Sequence, residues 1–303
     1  MRFMMMVKND DSAEAGLIPD ETFMTKMTAF NERMAKAGVM KGGEGLLPSA
    51  KGARVRLGGA KTKAMTVVDG PFAEARELVG GFWLVETASL ADAVSWVKQA
   101  PFEAGEVEIR QLYELSDIPA DPSETAEGWR EKEQALRDTG GASGPTARKP
   151  GTKRFMVMLK SDRATESGAL PTPEALAKMG DLMTELMTSG ALLGGEGLKP
   201  SSKGAKVRFS GASRTVIDGP FTEAKELIAG YSIIQVPSRE DAVAFAKRWL
   251  KIHVETAAEP IDAGEMEIRQ LAEMEDFGAD PAHGADGEGW RAREQKLREK
   301  LGT

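Results

Sequence analysis

Residues 67–82 read VVDGPFAEARELVGGF, and residues 216–231 read VIDGPFTEAKELIAGY. The recurrence extends outward from these runs. MRFMMMVK at 1–8 returns as KRFMVMLK at 153–160, and GVMKGGEGLLPSAKGARVRL from Gly38 returns as GALLGGEGLKPSSKGAKVRF from Gly190. GEVEIRQL from Gly105 returns as GEMEIRQL from Gly264, and EGWREKEQALR around Trp129 returns as EGWRAREQKLR around Trp290. The offset is 152 residues early, 149 at the Asp-Gly-Pro-Phe run and 159 later, so the copies differ by short loop insertions and deletions. Solenoid units run about 20–50 residues. A period this long in a chain of 303 residues is a duplicated domain.

Each copy has its own order of elements. Arg2–Lys8 is a short apolar strand. After Pro19, the stretch Asp20–Ala37 carries Phe23, Met27, Phe30 and Met34 at helical spacing, and Gly38 ends it. Val39–Leu47 is extended and glycine-rich. Arg54–Leu57 alternates basic and apolar residues, which sets Arg54 and Arg56 on one face and Val55 and Leu57 on the other. Gly58-Gly59 opens a hairpin that returns through Ala64–Val68. Leu78–Glu86 is a strand, Ser89 caps a second helix with Asp92 at the capping-box position, and Glu106–Tyr113 is the last strand. The second copy has its helices at Pro171–Ser189 and Arg239–Lys251. The order predicts a ferredoxin-like α+β domain with an inserted hairpin. Residues 1–137 and 153–303 form the two domains, each ending in a charged amphipathic arm marked by Trp129 and Leu136, or Trp290 and Leu297. Residues 138–152, DTGGASGPTARKPGT, form a flexible linker. A sheet covered by helices on one face needs cover on the other. With the partner attached, the two sheets are expected to pack face to face as an intramolecular pseudo-dimer.

Composition narrows the chemistry. The chain has 47 acidic and 40 basic residues, a net charge of −7, and no cysteine. Direct nucleic-acid binding is not expected from that balance. Thiol nucleophiles, disulfides and cysteine-ligated metals are excluded. No apolar run approaches the roughly 18 residues of a membrane span. The opening apolar run recurs internally and reads as a strand, so a cytoplasmic protein is expected. The two histidines, His253 and His283, have no counterparts in the first copy, and with so few no metal site or cofactor is expected.

The candidate ligand-binding residues are Arg54, Arg56, Lys206, Arg208, Glu44, Glu196, Asp69 and Asp218. The hairpin arginines could hold a small carboxylate or phosphate. The other reading is a charged edge that resists aggregation. Asp69 and Asp218 either open a tight turn or form an acidic site, in the first copy with Glu74 or Glu77. Gly70, Pro71, Phe72 and their twins Gly219, Pro220, Phe221 read as turn framework, with both rings buried. The methionines of the first helices fill core or line an adaptable pocket. The arms pack on a domain of this chain or dock another protein.

The paired DGPF runs, with GGEGL, the alternating basic strand and GEVEIR or GEMEIR, resemble the YCII-related, DGPF-type family over residues 1–115 and 153–275. The resemblance implies a dimeric α+β barrel. It also implies an acid–base pair formed by a histidine near Met27 or Met179 and an aspartate near Ala100 or Glu259. Neither first helix contains a histidine. The expectation is therefore a non-catalytic or weakly catalytic protein that binds a small ligand or a protein partner in the inter-sheet cleft. The resemblance adds a transcription-regulatory setting. The alternative is a small-molecule enzyme using carboxylate and arginine groups.

Overall fold

The computed structural model describes residues 1–58, 64–73, 78–117, 149–221, 227–257, 264–277 and 289–301. The first copy runs β1 (Arg2–Lys8), α1 (Asp11–Glu14), α2 (Glu21–Lys36), β2 (Met40–Gly45), β3 (Ala53–Leu57), β4 (Met65–Asp69), β5 (Val79–Glu86), α3 (Leu90–Val97) and β6 (Ala104–Gln111). The second runs β7 (Lys153–Lys160), α4 (Arg163–Glu166), α5 (Pro173–Thr188), β8 (Leu192–Gly197), β9 (Ala205–Ser210), β10 (Ser213–Asp218), β11 (Ile228–Val236), α6 (Arg239–Glu255) and β12 (Glu265–Gln270), followed by α7 (Trp290–Leu301). No helix among the described residues is long and apolar enough to cross a membrane.

Local chemistry sets the helix ends. The Asp20 side chain accepts from the Phe23 N–H to start α2, and Thr172 does the same for α5 through Ala175. Past the end of α2, Gly38 takes φ +73°, a conformation that costs glycine nothing. Its N–H and that of Val39 bond back to Ala35 and Met34, capping the last turn. The Ser89 hydroxyl caps α3 as the sequence suggests. In the second copy α6 runs on to Glu255, four residues past the expected Lys251.

The strands form two six-stranded sheets, β10-β9-β6-β1-β5-β2 and β4-β3-β12-β7-β11-β8. Every neighbouring pair is antiparallel. These orders correct one expectation: the hairpin does not belong to the sheet of its own copy. The β3–β4 hairpin of the first copy pairs with β12 of the second, and β9–β10 of the second pairs with β6 of the first. Single bridges at Leu46↔Leu271 and Leu112↔Leu198 tie each sheet to the other where the chain crosses over.

Both faces of the central strands are buried, on a period of two. On β1, Phe3 and Met5 face a helix-side core with Phe30, Met34, Val85 and Val97, and that core includes Val207 and Phe209 of the exchanged hairpin. Met4 and Met6 point the other way, into a cluster with Phe82, Leu84, Met156, Met158, Tyr231 and Ile233. That cluster draws on both sheets and is the cover each open sheet face requires. Complete burial of such a side chain stabilises by about 1.5–3 kcal/mol. On the second sheet, Ala53, Val55 and Leu57 of the first copy pack with Phe155, Leu182, Phe245 and Leu250 of the second.

The C-terminal helix α7 lies on α2 and the edge of β2, so the second copy's arm packs on the first copy. Trp290 and Leu297 are buried, and Leu297 joins the core of the first sheet. The first arm around Trp129, and linker residues 138–148, lie outside the described residues.

Candidate functional site

The hairpin exchange sets one copy's basic strand against the other copy's acidic strand. On β12, Glu265, Glu267 and Arg269 share a face by strand alternation. Glu267 is the Cα partner of Arg54, and Glu265 of Arg56. The Arg54 fork donates to Glu267 at 2.9 and 3.1 Å and reaches Glu265 at 3.4 Å. Lys160 approaches Glu267 at 3.3 Å, and Arg269 does so at 3.3 Å. Arg269 continues to Glu14 at 3.3 Å and donates to the Leu47 carbonyl at 2.7 Å. Glu14 accepts from the Ser49 hydroxyl at 2.5 Å and the Ser49 N–H at 3.0 Å.

The Asp-Gly-Pro-Phe turn closes over this cluster. The Phe72 N–H donates to Ser49 Oγ at 2.9 Å, and the Arg54 guanidinium lies 4.1 Å from the centroid of the Phe72 ring. A Cβ on Gly70 would sit 1.9 Å from the Ser49 carbonyl oxygen, so only glycine permits the approach. The peptide bonds before Pro71 and Pro220 are cis.

The second cluster repeats the first with the copies interchanged. Glu108 is held by Lys8 at 3.0 Å and Arg110 at 3.2 Å. Arg110 reaches Glu166 at 3.1 Å, and Glu166 accepts from the Ser201 hydroxyl at 2.5 Å. The Phe221 N–H donates to Ser201 Oγ at 3.1 Å, and Gly219 meets the Ser201 carbonyl as Gly70 meets that of Ser49. Lys206 lies 4.8 Å from the Phe221 ring centroid and pairs with Glu106 at 3.0 Å.

Burial alone pushes the Glu108 carboxyl up, but Lys8, Arg110 and Lys206 together outweigh it and bring it down to about 2. For Glu267, burial is likewise overcome by Lys160, Arg269 and Arg54, and the carboxyl also falls to about 2. Each cluster sets four cations against three carboxylates. Lys160, Arg269, Arg54 and Arg56 face Glu267, Glu14 and Glu265, while Lys8, Arg110, Lys206 and Arg208 face Glu108, Glu166 and Glu106.

The GGEGL glutamates occupy a separate pair of cross-copy contacts. Arg154 of β7 holds Glu44 at 2.6 Å and Glu273 at 2.9 Å, and Arg298 of α7 adds a contact to Glu44 at 2.9 Å. Arg2 of β1 holds Glu196 at 2.6 Å and Glu114 at 2.8 Å. For both arginines, burial lowers proton affinity and the carboxylates more than restore it, leaving the pKa raised.

The remaining predicted residues fall as follows. Arg54 is buried, whereas Arg56 is half exposed and pairs with Glu265. Residues that share one face of a strand thus differ in depth. Arg208 is exposed and pairs with Glu106 at 3.1 Å. Asp69 is exposed and contacts Arg239 at 3.1 Å, and Asp218 is exposed. Phe72 is buried at 8% exposure, but Phe221 is only half-buried, short of the burial expected for both rings. Pro71 and Pro220 are exposed. Met27 packs against the first helix-side core, and Met187 against the second. His253 lies on α6, where burial lowers its pKa against an opposing influence from Asp162. Glu74, Arg76, Glu77, Glu259 and His283 lie outside the described residues.

Sequence reasoning missed Lys8, Glu14, Ser49, Glu108, Arg110 and their counterparts Lys160, Glu166, Ser201, Glu267, Arg269. The signal was repetition, since each of these ten recurs at the equivalent place in the other copy.

Two comparisons with known proteins bear on this arrangement. The model of the YCII-related domain matches residues 1–116 and again 154–250. An uncharacterised protein of Rhizobium meliloti (strain 1021) is 29% identical over 127 residues, which is 40% of this chain and 100% of that protein. That relative has the length of about one copy.

Proposed function

The chain belongs to the YCII-related family, and on that premise we propose that it is a non-catalytic or weakly catalytic binding protein, assembled in cis as a dimeric α+β barrel of two ferredoxin-like halves. The halves are residues 1–137 and 153–303, with 138–152 as the linker. One observation carries this reading. The carboxylates at the heart of both clusters are held near a pKa of about 2 by the surrounding cations. A general acid or base working near neutrality needs a pKa near the working pH. Glu267 instead holds Arg54 of one exchanged hairpin directly, and Glu108 attracts Lys206 of the other through its charge. Arg54, Arg56, Lys206 and Arg208 then serve assembly before any anion, since each already has a carboxylate from the other copy. The centre of the inter-sheet space is filled by methionine and aromatic side chains. Our reading puts a small ligand or protein partner at the rim of the cleft, near Glu44 and Glu196, and a transcription-regulatory setting in the cytoplasm fits the family resemblance.

Side-chain carbon NMR of Glu108 and Glu267 across pH tests the reading. Both are expected to titrate near 2. A midpoint between 6 and 7 for either would overturn it and favour an acid–base enzyme. The enzyme alternative has one feature in its favour: each Ser hydroxyl stands 2.5 Å from a carboxylate, Ser49 on Glu14 and Ser201 on Glu166. Both serines are 0% exposed, so a substrate would reach them only if the overlying turn moved.

A further inference from the structure

The two exchanged hairpins end in β4 and β10, the outermost strands of the two sheets, and they differ in how their free edges are treated. The hydrogen-bond phase of β4 follows from its flanks. Gly58 N–H bonds to the Ala64 carbonyl, and Gly70 N–H to the Gly52 carbonyl. With Arg56↔Thr66 and Arg54↔Val68 in register between them, those pairs are the bonded ones. The N–H and C=O groups of Met65, Val67 and Asp69 therefore point away from β3. Leu57 N–H bonding to Gly264 on the other side of β3 has the matching phase. Among the described residues, no strand pairs with this outer edge.

Natural edge strands are blunted with charge, proline or bulges. Residues 65–68 of β4, MTVV, have none of these. Val67 is 41% exposed and Val68 37%, two of the five exposed large apolar side chains among the described residues. At the position of Met65, β10 has Arg214. Its guanidinium donates to the carbonyls of Gly211, Ser213 and Phe102 and lies 4.5 Å from the Phe209 ring centroid. Val216 and Ile217 of β10 are less exposed than their counterparts on β4.

We propose that β4 is a self-pairing edge: two molecules join β4 to β4, antiparallel about a twofold axis through Val67. The register is self-complementary. Val67 meets Val67, Thr66 meets Val68, and Met65 meets Asp69 of the other molecule. The outward groups of Met65, Val67 and Asp69 then form the new ladder. Asp69 is the only charge on the strand. It faces a methionine rather than its own copy, and Arg239 balances it at 3.1 Å. A twofold contact closes on itself, so the product is a dimer and not a fibre. A five-residue ladder buries less than the roughly 1,200 Å² typical of stable complexes, so the dimer is concentration-dependent.

Sedimentation equilibrium of the full chain, from micromolar to millimolar, tests this. The expected result is a reversible rise from the 32.6 kDa monomer toward twice that mass. Val67→Lys sets two ammonium groups against each other at the axis and should weaken association at least tenfold. Val216→Lys, the same change on β10, should leave it intact. A monomer at every concentration overturns the proposal, as does equal loss from both variants or continued growth beyond the dimer. If Val67→Lys fails to fold, amide exchange on the unmodified protein decides. Protection at Met65, Val67 and Asp69 must rise with protein concentration, and unchanged exchange rejects the pairing. An edge that takes up only an added extended peptide, without self-association, rejects it equally.

Discussion

The cluster around Glu267 and the cluster around Glu108 share one plan but differ at one cation. At Glu267 the hairpin supplies Arg54, whose fork spans Glu267 and Glu265 while its face covers the buried Phe72 ring. At Glu108 the hairpin supplies Lys206, which turns to Glu106 and leaves Glu108 in direct contact with Lys8 and Arg110. The companion ring, Phe221, is half-buried. A planar guanidinium can bond two carboxylates and stack at once, whereas an ammonium acts as a point charge. Yet both carboxyls come down to about 2. The lesson is that the summed field of three cations fixes the charge state, and the hairpin residue decides how tightly the turn is packed.

The largest effects should come from cations common to both clusters. Arg269→Met leaves Glu267 and Glu14 short of a partner, and Arg110→Met does the same to Glu108 and Glu166. Each should cost about 3–5 kcal/mol in urea unfolding, the usual result of stranding a buried charge. A loss below 1 kcal/mol from either would show that the clusters are not structural. Phe72→Ala should fall in the range of about 3–5 kcal/mol for a large core truncation, with Phe221→Ala clearly smaller because that ring is only half-buried. Equal losses would erase the packing difference between the two turns.

Acid provides the next comparison. Both glutamates have folded pKa values near 2, below the roughly 4.3 of an unfolded glutamate. Their contribution is complete above the unfolded value and is lost as pH falls from about 5 to 2. Each should contribute on the order of 3 kcal/mol above that window. Unfolding free energy measured from pH 6 downward should fall with a slope that Glu108→Gln and Glu267→Gln reduce alike. A reduction from only one variant would mean that the clusters are not equivalent. Smallest of all, Arg54→Lys should cost about 1–2 kcal/mol through a lost charged hydrogen bond, and Lys206→Arg should stay within about 0.5 kcal/mol. The reverse order would place the tighter turn at Phe221.

Much of this fold is legible from the residues. Ser89 and Gly38 mark helix ends, an unbroken apolar run marks β1, alternation marks β3, and the duplication marks the two-sheet plan. The crossing of the hairpins is not legible, for a definite reason. Val55 and Leu57 would be buried against either sheet, and the acidic strands GEVEIR and GEMEIR offer nearly identical partners to Arg54 and Arg56. Period-two patterning fixes a face, not a neighbour. Nor does it fix depth, so Arg54 beneath Phe72 and Arg56 at the rim read alike. The four-residue helices α1 and α4, which deliver Glu14 and Glu166, are too short to show a helical period.

The central claim is that each hairpin pairs with the other copy, and engineered disulfides test it most directly in a chain without cysteine. The pairs Arg56↔Glu265 and Arg208↔Glu106 are Cα partners across the exchanged junctions. Both fall at non-hydrogen-bonded positions, where Cα atoms lie about 4.5 Å apart, within disulfide range. Arg56→Cys with Glu265→Cys, and Arg208→Cys with Glu106→Cys, should each oxidise to an intramolecular crosslink in the folded protein. Arg56→Cys with Glu106→Cys, the pairing of an unexchanged hairpin, should stay reduced. A crosslink in that last variant, with none in the first two, would contradict the exchange.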